Sequence, residues 1–88
     1  MAQFGADIEQ LEGMSKQFSQ EAGTVADLIR RINGHVTATW WQGKNADEFR
    51  NRWNQEFSPA LGKLAEVLTA TADEVRTRAE QQDLVSNR

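Results

Sequence analysis

The feature that most limits what this chain can become is the spacing of its apolar residues, which keeps to steps of three and four on both sides of one interruption. Phe4, Ile8, Leu11, Ser15, Phe18, Ala22, Val25, Ile29, Ile32 and Val36 alternate between the two steps, a heptad seam broken only by the polar Ser15. Phe49, Trp53, Phe57, Ala60, Leu64, Leu68, Thr71, Val75 and Ala79 take two fours for each three, closer to an eleven-residue repeat that runs nearly straight. Such steps line one face of an α-helix, whereas a strand would alternate residue by residue. The spacing predicts a helix over about 6–39, a turn over 40–44 and a second helix over about 45–81. Connections as short as TWWQG join antiparallel neighbours. The expected fold is all-α, an antiparallel helical hairpin of two rods about 50 Å long at about 1.5 Å per residue.

Local signals place the ends. Asp7, Glu9 and Glu12 stand near the positive end of the first helix dipole, Arg30 and Arg31 near its negative end. Gly43 can take positive φ and is expected to stop the first helix. Asn45 with Glu48 three residues on has the pattern of a capping box for the second. Pro59 follows Ser58, and because the apolar stripe carries through it a kink near Glu56 is expected rather than a loop. The polar residues 82–88 are expected to form a flexible tail, leaving a domain over 1–81. Gly13, Gly23 and Gly34 fall off the seam and each costs about 1 kcal/mol of helix propensity relative to Ala. The first helix therefore depends on packing.

A lone hairpin packs only a narrow strip of each helix. Met14 and Leu28 widen the first stripe, Leu61 and Val67 the second, and two helices cannot cover both margins while four can. The expectation is a dimer forming a four-helix bundle. Its seam would be Phe4, Ile8, Leu11, Phe18, Val25, Ile29 and Ile32 on one helix, with Phe49, Trp53, Phe57, Leu64, Leu68 and Val75 on the other.

Composition removes several function classes. Eighty-eight residues make one domain. There is no cysteine for a disulfide or thiolate metal site, and His35 is the single histidine, off the apolar face. No metal or cofactor is expected. Ser15, Ser19 and Ser58 have no neighbouring base, and Asp47-Glu48 and Asp73-Glu74 diverge by about 100° on a helix, so no enzyme is expected. The net charge of −3 argues against nucleic acid, and no apolar run is long enough for membrane insertion. The N-terminus has neither a basic head nor an apolar run, so it is not expected to be a cleaved signal peptide, and if this protein leaves the cytoplasm another route must carry it.

Trp41-Gln42-Gly43 at the corner of such a hairpin, followed by Ala46, Phe49 and Trp53 on the second helix, resembles the WXG-100 (early secreted antigenic target-like) family of type VII secretion. The likeness covers the chain from about Phe4 to about Val75. It implies a hairpin that pairs with itself, with a related W-x-G protein, or with a larger toxin bearing a similar helical domain. The pair would be exported folded by a membrane ATPase. The family's export signal, Tyr-x-x-x-Asp/Glu after the second helix, is not matched: the chain has no tyrosine, and Arg76-x-x-x-Glu80 and Ala79-x-x-x-Asp83 come nearest. The resemblance then implies either that a partner supplies the signal to the ATPase or that this chain serves as a companion.

Trp41 and Gly43 read first as a structural cap of the bundle and second as a recognition element, roles that can coexist, while Trp40 would mark a contact surface if exposed. Phe49 and Trp53 read as core. Lys44, Arg50 and Arg52, with Arg30 and Arg31, read as a solubilising basic cap. Two other functions compete with a secreted substrate or companion: a cytosolic chaperone or adaptor for a toxin, and a nucleic-acid-binding helical protein. The latter would call for a short basic recognition helix that this chain lacks.

Overall fold

In the computed structural model, which describes residues 6–86, the chain is an antiparallel pair of helical arms measuring 66 × 17 × 16 Å. The first arm is helix α1, Ile8–Ala38. The second is unbroken from Lys44 to Ser86 and comprises α2 (Lys44–Arg52), a π-helical turn (Trp53–Phe57) and α3 (Ser58–Ser86). At about 1.5 Å per residue that arm spans about 65 Å, which accounts for the length of the molecule. The helix passes beyond Gln82, where the polar composition placed the start of a tail, and so exceeds the length expected from sequence. Phe4 of the expected seam lies outside the described residues.

Asp7 caps α1, its Oδ1 accepting the Gln10 N–H at 3.0 Å. The other end corrects two expectations. α1 stops at Ala38 with extended Thr39 as its cap, well before Gly43. Gly43, at φ 117°, instead begins α2, and its carbonyl accepts the Asp47 N–H at 3.1 Å. No side chain caps α2, so Asn45 and Glu48 form no capping box, because the helix starts two residues too early for it. Glycine is required here since that φ is rarely open to other residues.

The arms touch through small side chains. Ser15 and Ala22 on α1, and Ala72 and Ala79 on α3, are buried, while no large side chain is wholly so. Each pair is seven residues apart, which marks one line down each helix. The Ser15 hydroxyl donates to the Ala72 carbonyl at 2.8 Å, a separation that only a close approach of the two backbones allows. Phe18, Val25 and Ile32 trail the α1 line by three residues, about 60° round the helix, and Leu68 and Val75 trail the α3 line likewise. In antiparallel neighbours, rotations of one sense reach the same side, so these large residues share one flank of the hairpin. The opposite flank is a shallow groove lined by Ser19, Gly23, Ala26, Ala65 and Thr69. The two faces are therefore unlike, one of large apolar side chains and one of small and polar ones.

The expected kink is a π turn within a continuous helix. Pro59 has no N–H, and its ring would collide with the carbonyl four residues back. Widening the preceding turn relieves this, and the Ser58 N–H bonds the Trp53 carbonyl, five residues back. The turn also sets phase. Nineteen residues separate Trp53 from Ala72, where about 18 would make five α-turns. By absorbing the extra residue, the π turn brings Trp53 and Ala46, seven before it, onto the line that faces α1.

Candidate functional site: the aromatic corner

Trp41, Phe49 and Arg50 gather with His35 at the Trp40 to Gly43 corner. Its floor is one face of α2, where Ala46, Phe49 and Arg50 stand together at steps of three and four. Ala46 is fully buried. Trp41 packs on Phe49 with ring centroids 6.0 Å apart and planes at 45°. Arg50 reaches over the turn, its guanidinium donating to the Trp41 carbonyl at 2.9 Å and to the Thr39 carbonyl at 3.3 Å. Together with Ile32, His35, Val36 and Thr39 they line a cleft of about 240 Å³.

The two tryptophans divide as their adjacency suggests: Trp41 lies against Phe49, 43% exposed, and Trp40 stands in solvent, 83% exposed. Phe49 is not core, as the seam pattern suggested. It is 41% exposed because it faces the corner rather than α1. Trp53 is buried, and its indole Nε1 donates to Asn33 Oδ1 at 2.5 Å, joining the π turn to α1 below the corner. His35 is exposed at the rim of the cleft.

The basic residues are more engaged than a solubilising cap requires. Besides the Arg50 contacts, Arg52 bonds Glu56 at 3.1 Å and lies 5.2 Å from the Phe57 ring centroid. Sequence reasoning placed Arg50 only within a solubilising cap. The signal was present, since an arginine four residues after buried Ala46 and one after Phe49 must lie over the turn that they support. Farther off, Arg76 with Asp73 and Arg78 with Glu74 form exposed ion pairs at 3.5 and 3.0 Å, each worth about 0–1 kcal/mol.

The remaining seam residues, Ile8, Leu11, Phe18, Val25, Ile29, Ile32, Leu68 and Val75, are half-buried, and Phe57 and Leu64 are exposed. Among the described residues no group of three or more His, Asp or Glu could hold a metal, and no helix is long and apolar enough to cross a membrane.

Two antiparallel arms, a contact line of small residues and a tryptophan-glycine corner define a class of helical-hairpin proteins. Within it the family is specific: the family model WXG100, described as proteins of 100 residues with WXG, matches residues 3–83, and the chain belongs to that family. No curated protein and no solved structure matches it. WXG100 proteins are small secreted helical proteins of type VII secretion, not known as enzymes, and they typically form dimers with related proteins.

Proposed function

We propose that this protein is a non-enzymatic substrate or co-secreted companion of a type VII secretion system, paired with a second hairpin in a four-helix bundle. The observation that carries the pairing is its surface. The chain exposes 6971 Å², whereas a compact monomer of its mass would expose about 5200 Å². The excess on this one chain is larger than the roughly 800 Å² that each partner of a standard specific interface buries, and fits the larger interfaces of obligate pairs. Phe18, Val25 and Ile32 would meet the partner together with Leu64, Leu68 and Val75, since the hairpin's own contact is made by smaller residues.

Charge supports an antiparallel pair. The stretch from Arg30 to Glu56, which folds round the corner, holds five cations and three carboxylates, against five and ten in the rest of the chain. Setting one corner beside the other hairpin's open end brings unlike charge together. The partner is a related W-x-G protein that carries the aromatic export signal these residues do not match, or a second copy, in which case the pair lacks that signal.

In this reading the corner is the recognition element and Trp41 its centre. Trp41→Ala is expected to abolish export into the medium while pairing, measured by native mass spectrometry, is retained. Normal export of that variant would show the corner to be a structural cap alone. A cytosolic adaptor for a toxin would use the same apolar flank. Finding the native chain in the medium only when the secretion ATPase is present separates the two.

A further inference from the structure

We propose that Arg50 is the positioning residue of the corner: by holding the Thr39 and Trp41 carbonyls at once, its guanidinium fixes the pose in which Trp41 is offered to a partner. The proposal rests on the corner being the recognition element, and adds what holds that element in shape. The turn has little order of its own. It leaves α1 through an extended Thr39 and enters α2 through a glycine at positive φ. Among the described residues, Arg50 is the only side chain that hydrogen-bonds the backbone of 39–43.

Its place on α2 makes the contact possible. Buried Ala46 lets the turn lie close to the helix, Phe49 supports the Trp41 ring from below, and Arg50, one residue on, meets the carbonyl of the same tryptophan. Trp41 is thus held at two points, ring and backbone, by neighbours on one helix face. Arginine suits the task because its planar fork can donate to two acceptors in a fixed relation, which a lysine ammonium on a flexible stem cannot. Lysine would preserve a different benefit, the positive charge beside the carbonyl end of α1. The two substitutions therefore separate geometry from charge.

The test compares the three indole N–H signals of the ¹⁵N-labelled full chain in the native protein, Arg50→Lys and Arg50→Gln. The expected result is a shift of the Trp41 signal in both variants, toward the position of solvent-exposed Trp40, with the Trp53 signal unmoved. An unmoved Trp41 signal in Arg50→Gln would overturn the proposal. So would a native Trp41 signal in Arg50→Lys, which would assign the effect to charge, or a joint shift of Trp41 and Trp53, which would make Arg50 a support of the whole hairpin. Export is read separately. Native-level export of Trp41→Ala would remove the recognition reading, while the indole signals would still report whether Arg50 holds the turn.

Discussion

Ser15 stands at the one place in the first seam where an apolar residue is missing, and it makes a hydrogen bond to the backbone of the opposite arm. Its hydroxyl reaches the Ala72 carbonyl because nothing larger intervenes on either side. Loss of the hydroxyl in Ser15→Ala is expected to cost about 0.5–1.5 kcal/mol. Ser15→Leu restores the heptad yet is expected to cost more, about 1–3 kcal/mol, because a large side chain would force the backbones apart. Urea unfolding of the two variants ranks them, and a leucine variant more stable than the native protein would show the position to be an ordinary seam site. In the sequence, Ser15 read as an interruption of the pattern. Apolar spacing locates a face, but it does not say which of its members are small because a neighbouring backbone passes there. Arg50 read only as part of a basic cap for a related reason: its spacing from Ala46 puts it over the turn, but side-chain spacing does not name main-chain carbonyls as its acceptors.

At the level of the elements, the helices and their order were legible from periodicity, because steps of three and four leave no other regular structure. Their phase was not. Phe49, Trp53 and Phe57 are spaced by fours, which suits a plain α-helix, and the π turn between Trp53 and Phe57 is invisible in that spacing. Pro59 announced a disturbance without saying whether the helix would bend or widen. Since the wide turn holds one residue beyond the α-helical count, removing exposed Gln55 while changing Pro59→Ala should restore plain α-helix and keep Trp53 facing α1. That variant is expected to show native helicity by circular dichroism and a buried, unshifted Trp53 fluorescence. Removing Thr69 from α3, where there is no surplus residue, is expected to turn one half of the arm off its line and to unfold the hairpin at lower temperature. Equal damage from both deletions would mean that the π turn does not set the phase of Trp53.

Taken whole, the molecule is a rod with unlike flanks and unlike ends. The width of the apolar stripe foretold that a hairpin could not cover itself. The division of labour within the stripe, small residues between the arms and large ones to one side, became visible only with the fold. It gives Leu64→Asp a sharper outcome than sequence supports. Because Leu64 is 46% exposed in the single hairpin, the charge is expected to leave helicity nearly intact while abolishing pairing, measured by sedimentation velocity beside circular dichroism. Retained pairing would move the interface off this flank.

The slenderness of the molecule has a consequence for passage. With a backbone only 17 × 16 Å in section, one hairpin is about two helix diameters across, and the paired bundle travelling end-on needs an aperture of about that width in both directions, roughly 20–24 Å. Such a gate could admit it without breaking one backbone hydrogen bond. A translocating motor would then spend its force on sliding and none on unravelling, and the blunt tryptophan tip, or the open end, would be the first thing through.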